Sequence, residues 1–230
     1  MRRASLTALL VFFTLAAWAA PRPVPRSHAQ AVLPVEALST VSLPPLDLVR
    51  LLAEDEANEG KALPYRVGIA RPLNASLDEG TLEALPDGGT LWRLSVTSPG
   101  APWMSVELDG VFPVPGLELR FHDRLARSVE GPFTALGGSS AGILASPVVP
   151  GDTLVVEAYL PPGAGPFPEF VVRTAVTGYK EFFAPGRGAG SCNIDVNCPE
   201  GADWQADKRS VARIYFSGYL CTGTLLNNAR

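Results

Sequence analysis

The sequence predicts an all-β fold, a β-sandwich or jelly roll with one short N-terminal helix. Three observations carry that reading. From about Leu63 onward, apolar residues alternate with polar ones at period two. Pro and Gly, at 22 each among 230 residues, fall between those runs as turn signals. The best helical period lies in one stretch, Leu46 to Asn58. Short strands at regular spacing with such punctuation are the pattern of sandwiches and jelly rolls.

In chain order, Met1-Arg2-Arg3 precedes a continuous apolar run from Leu6 to Ala20, closed by Pro21-Arg22-Pro23. This is the anatomy of a secretory signal peptide, too short and wrongly flanked for a spanning helix. Two small-x-small cleavage sites follow, Ala17-Trp18-Ala19 and Ser27-His28-Ala29, and the second is favoured, giving a signal over residues 1–29. The product is expected to be exported, with no membrane association once the signal is removed. Residues 30–62 form an N-terminal segment, Pro-interrupted and extended to Pro45, then helical. Leu48, Leu51 and Leu52 share one helix face, Glu54, Asp55, Glu56 and Glu59 form a solvated acidic one, and Gly60 is the stop signal.

Residues 63–178 hold the sandwich. Its expected strands are Arg66 to Ala70, Thr90 to Thr97, Met104 to Leu108, Leu117 to Phe121, Ile143 to Val149, Asp152 to Leu160 and Phe170 to Val176. Trp92, Leu94 and Val96 fall on one side of their strand, and Leu154, Val156 and Ala158 on one side of theirs. Ser98-Pro99-Gly100, Asp109-Gly110, Gly131-Pro132 and Pro150-Gly151 are among the turns. Residues 179–187 read as a small, exposed linker suited to proteolysis.

Residues 188–230 are a different unit. Arg213 to Phe216 and Leu220 to Leu226 form a hairpin around a tight turn at Ser217-Gly218. A lone hairpin is marginal in water because its apolar face has nothing to pack against. This one is therefore expected to open an incomplete domain. All three cysteines, Cys192, Cys198 and Cys221, lie here, and an odd number in an exported chain points to missing partners.

Ser191-Cys192-Asn193-Ile194-Asp195-Val196 with Cys198-Pro199-Glu200-Gly201 resembles the mature N-terminus of bacterial lysyl endopeptidases, secreted serine proteases of the trypsin-like, two-barrel class. Cys221-Thr222-Gly223-Thr224-Leu225-Leu226-Asn227-Asn228 is similar to the strand that leads into the catalytic histidine of that class. The resemblance is close over about the last fifth of the chain and looser over the preceding propeptide-like part. It implies a precursor fragment whose mature enzyme starts at Gly188, with Arg187 before the scissile bond. It implies that Cys192, Cys198 and Cys221 bond to cysteines further downstream. It implies an enzyme that cuts protein substrates after Lys or Arg, and a pro-domain that docks on its own protease domain, assists folding and maintains latency. The family has Lys before the cut, so Arg187 places a strict Lys preference in doubt. The histidine, aspartate and serine of the triad lie beyond Cys221 in the family, so no catalytic residue is expected within these 230.

Other constellations carry less. Gly138-Ser139-Ser140-Ala141-Gly142 fits G-x-S-x-G, yet a nucleophile elbow needs a helix after the serine and a histidine later in the chain. Both histidines, His28 and His122, precede it. His28 reads as signal or spacer and His122 as a surface or hydrogen-bonded residue. No zinc spacing occurs, Gly186 to Gly190 is not a dinucleotide fingerprint, and no cofactor or metal is expected. Asn74-Ala75-Ser76 is a glycosylation sequon of the kind that arises by chance. A net charge of −4 gives no reason to expect nucleic acid as a partner. The competing reading is a secreted β-sandwich binding module without catalytic activity.

Overall fold

The computed structural model describes residues 23–30, 32–111, 114–134, 142–181 and 196–225. The alternating runs become strands because β-branched and aromatic side chains fit a pleated surface, and Gly or Pro closes each run. In order they are α1 (Arg26–Ala29), β1 (Thr40–Ser42), α2 (Leu48–Ala57), β2 (Tyr65–Arg66), β3 (Gly68–Ala75), β4 (Thr81–Ala84) and β5 (Thr90–Thr97). Next come β6 (Trp103–Asp109), β7 (Glu118–Asp123), β8 (Val129–Phe133), β9 (Leu144–Ala145), β10 (Val149–Pro150), β11 (Thr153–Leu160) and β12 (Val171–Gly178). The C-terminal part holds α3 (Gln205–Lys208), β13 (Val211–Phe216) and β14 (Tyr219–Thr224). The chain is mostly β, as expected.

Two larger sheets share one core. The first runs β1-β5-β11-β7-β8, with β4 also on β5, and the second runs β10-β6-β12-β3, with β9 also on β6. Trp92, Leu94 and Val96 of β5 and Leu154, Val156 and Ala158 of β11 meet Met104, Val106 and Leu108 of β6 and Val172 of β12. The period-two pattern thus puts the expected side chains inside. A third sheet, β13-β14-β2, joins the C-terminal hairpin to the rest.

Strand β11 is buried along its whole length, not on one face alone. The outer face of the first sheet carries Arg93, Arg120, His122 and Glu157, all buried. The N-terminal segment crosses this face and supplies partners. The Arg93 guanidinium donates to the Glu83 carboxylate and to the Leu33 carbonyl. Arg26 places two nitrogens on the Glu118 carboxylate, at 3.0 and 2.9 Å. Polar residues that alternate with the core therefore lie under a second layer of chain instead of in water.

Several expectations change on this frame. Of the two roles expected for His122, the structure gives the hydrogen-bonded one and not the surface one: it is fully buried, with Nδ1 2.8 Å from the Asp123 carbonyl oxygen, and burial holds its imidazole below the ordinary value. Helix α2 is capped by Asp47, whose side chain accepts from the Arg50 N–H, but only Leu51 of its leucine face is buried. Leu48 and Leu52 are about half exposed. Glu54 and Asp55 leave the solvated face to pair with Arg66. The run Ile143 to Val149 makes two short strands instead of one, because Ser146 turns its hydroxyl to the Val106 N–H and the Pro147 carbonyl. Gly131-Pro132 lies inside β8 and is not a turn.

Candidate functional site: the seat of the C-terminal hairpin

Strands β13 and β14 form a two-residue hairpin with Phe216 opposite Tyr219. Ser217 and Gly218 both have positive φ, 43° and 91°, the pattern of a type I′ turn, whose twist matches that of the strands it joins. The expected hairpin is present, although its second strand ends at Thr224 and Leu226 lies outside the described residues.

The hairpin is not alone. Strand β2 pairs antiparallel with β14, Tyr219 opposite Arg66 and Leu220 opposite Tyr65. The Gly218 carbonyl accepts from the Val67 N–H at 2.8 Å and the Gly68 N–H at 3.0 Å. One residue later the same chain has become β3 of the second sheet. Val67 is therefore the point where a continuous strand changes partners, from hairpin to two-sheet domain. A methyl group on Gly218 would stand 2.5 Å from the Gly68 carbonyl oxygen, so the turn seats flush on backbone and only Gly fits.

Side chains deepen the seat. On β6, Met104, Val106 and Leu108 point into the core, so Trp103, Ser105 and Glu107 face outward, toward the hairpin. Trp103 is nevertheless fully buried. It packs with Val67 and Val176, and Tyr215 and Leu220 of the hairpin close over this group. The Tyr215 ring meets Trp103 edge-on at 5.6 Å and 86°, the favoured arrangement of two quadrupoles. Tyr215 Oη and Ser105 Oγ share a hydrogen bond of 2.8 Å, and Ser217 Oγ donates to Glu107 Oε1 at 2.7 Å. Burial pushes the Tyr215 phenol up to about 12, so it stays neutral. The Trp103 Nε1–H donates to the Lys180 carbonyl at 2.8 Å. Gly178 leaves the indole its room: a Cβ there would come within 2.3 Å of the ring.

A charged cluster braces β2. Arg66 donates to Asp55, Glu54, the Tyr179 hydroxyl and the Leu51 carbonyl. Asp55 also takes Lys180 Nζ at 2.7 Å and the Tyr179 O–H at 2.6 Å. Burial tends to raise the Asp55 carboxyl, but hydrogen bonds from Lys180, Tyr179 and Arg66 outweigh it and hold the group below its ordinary value. Above the ordinary aspartate value of 3.8 this stabilisation is fully present, and it is lost as pH falls through the depressed folded value. Urea midpoints at pH 7 and pH 3 test this: the acid-side drop should be smaller in Asp55→Asn than in the parent, and an equal drop in both would exclude Asp55 as its source. Between α2, β2 and the hairpin lies a cleft of about 650 Å³, lined by Asp55, Lys61, Tyr65, Lys180, Phe216 and Tyr219 among others.

The face of the hairpin turned away from the two-sheet domain is apolar and open. Ile214 and Phe216 are nearly half exposed there. Cys221 stands opposite Ile214 and is exposed and free, as is Cys198. Arg187, Gly188 and Cys192 lie outside the described residues, as do Gly138 to Ala141 of the G-x-S-x-G stretch. Of the two histidines, His28 is exposed on α1 and His122 is buried. Among the described residues no cluster of His, Cys, Asp and Glu could hold a metal ion, and no helix is long and apolar enough to cross a membrane. Sequence reasoning found the Ser217-Gly218 turn but missed its seat, Trp103, Tyr215 and the Asp55 cluster, whose signals are single residues without period.

Comparison with known proteins separates the two sides of this seat. Residues 42–168 match the family described as the lysyl endopeptidase N-terminal domain. Residues 187–230, which include the whole hairpin, match the lysyl endopeptidase C-terminal domain. A protein of Pseudomonas aeruginosa named lysyl endopeptidase is 29% identical over 241 residues, an alignment that covers 90% of this chain and 49% of that protein. The chain thus spans about half the length of this curated relative.

Proposed function

The chain belongs to the lysyl endopeptidase family, and from that premise we propose that it is the precursor part of a secreted serine endopeptidase that cleaves protein substrates after Lys or Arg. The N-terminal apolar stretch acts as export signal, the segment up to residue 62 as the start of the propeptide, 63–178 as β-sandwich pro-domain, 179–187 as processing linker, and residues from Gly188 onward open the protease domain. The pro-domain is a β-sandwich of the jelly-roll type, and the hairpin is the first of a trypsin-like barrel. Cys192, Cys198 and Cys221 take partners further along the protease domain, which also supplies the triad.

The observation that carries this reading is the seat itself. A hairpin from one matched region is extended by β2 and anchored through Tyr215 on Trp103 of the other. Addition of a strand to an open edge is a common mode of peptide recognition, in which backbone hydrogen bonds give affinity and side-chain pockets give specificity. Its physical use is clear. A β-barrel joins strands far apart in sequence and folds slowly. A two-stranded ribbon is marginal by itself, and a third strand with a hydrophobic seat holds it in register until the rest packs against Ile214 and Phe216. The same docking keeps the pro-domain on the enzyme, and latent, until the linker is cut.

Maturation supplies the test. The full-length precursor and a version lacking its serine nucleophile are expressed, and product N-termini are sequenced. Gly188 is the expected new N-terminus, and Arg187→Gln should abolish it. Gly188 in the parent alone indicates self-cleavage, and in both versions a second protease. Its absence from both would refute the processing site.

A further inference from the structure

We infer that the export signal is removed at Ala17-Trp18-Ala19, and that residues from Ala20 onward remain with the exported chain, with the stretch around Pro25, Arg26 and Ser27 as a strap that seals the outer face of the first sheet. This rests on the export reading above and revises its boundary at residue 29.

The reason is Glu157. It sits in the middle of β11 and is fully buried. Its carboxylate accepts two backbone hydrogen bonds from α1, Arg26 N–H to Oε1 at 2.6 Å and Ser27 N–H to Oε2 at 3.2 Å. The Arg26 side chain lies 4.4 Å over the Tyr159 ring and grips Glu118 with two donors. Pro25 is buried beside them. A cut after Ala29 would remove every one of these groups. Both oxygens of the carboxylate would lose these donors, and Glu157 with its cross-strand neighbours Arg93 and Arg120 would be opened to water on a face that the folded chain keeps covered.

The sequence agrees on independent grounds. Ala17-Trp18-Ala19 closes the apolar run directly, whereas Ser27-His28-Ala29 is separated from it by Pro21, Pro23 and Pro25. A signal cleavage site belongs at the end of the apolar segment.

Export of the 230-residue chain from a bacterial host, followed by N-terminal sequencing and intact mass of the secreted product, decides it. An N-terminus at Ala20, or anywhere before Pro25, supports the strap. An N-terminus at Gln30 overturns it and leaves export intact. A chain that retains Met1 overturns the export reading itself. A second measurement compares chains made to begin at Ala20 and at Gln30. The shorter should melt lower by about 5 °C or more, as loss of a few kcal/mol requires, and equal melting would contradict the sealing role.

Discussion

Trp103→Ala should cost about 3–5 kcal/mol of stability, the range for emptying a buried aromatic site, and should release the hairpin. Three things are lost together. The indole fills the space between Val67 and Val176 and has no exposed surface. Its edge-on contact with Tyr215 is the main side-chain tie to the hairpin. Its Nε1–H holds the Lys180 carbonyl, which ties the first residues of the 179–187 segment to the domain. Trp103→Phe keeps part of the apolar area and should fall between parent and alanine variant. Urea unfolding followed by circular dichroism measures the loss. A change below about 0.5 kcal/mol, within the range of ordinary surface substitutions, would mean that Trp103 does not anchor this junction. In a full-length precursor the same substitution should lower the yield of active enzyme more than it lowers the yield of exported protein.

The second large effect is expected at Gly218, and it separates the junction from the core. Gly218→Val forces a β-branched residue to a φ of 91° and drives its Cβ into the Gly68 carbonyl. Backbone strain of this kind costs on the order of 1–3 kcal/mol, and overpacking adds about as much. The turn can escape both only by leaving its seat, which breaks the bonds from Val67 and Gly68. Gly218 touches nothing in the main core, so the two-sheet domain should keep its melting temperature while the hairpin loses protection. Proteolysis in native buffer checks this: the variant should be clipped within residues 196–225 with its two-sheet domain intact. Equal resistance of parent and variant would show that the turn has room to spare.

Much of this was legible in the sequence. Thr90–Thr97 and Thr153–Leu160 announce themselves by alternation, and Ser217-Gly218 between two apolar runs announces a hairpin. What stayed hidden has one physical cause: partners distant in sequence decide it. Arg93, His122 and Glu157 alternate with core residues and read as a solvent face, yet the N-terminal segment covers them. Strands β1, β4 and β8 are short, and β8 contains Gly131-Pro132, so no local pattern marks them. Tyr215 and Ser105 are 110 residues apart, and no periodicity in either strand foretells that they meet. The cysteines are the reverse case: their spacing is plain in the sequence, whereas Cys198 and Cys221 stand free at the surface.

The junction is tested most directly by amide hydrogen exchange at Val67 and Gly68, whose N–H groups both point at the Gly218 carbonyl. In the parent chain both amides should exchange slowly. In Gly218→Val they should exchange at least about tenfold faster, a loss of roughly 1.4 kcal/mol of local protection, while amides of β6 and β12 are unchanged. If Val67 and Gly68 exchange as fast in the parent as in the variant, the hairpin is not held by the two-sheet domain, and the proposed docking of pro-domain on protease loses its foundation.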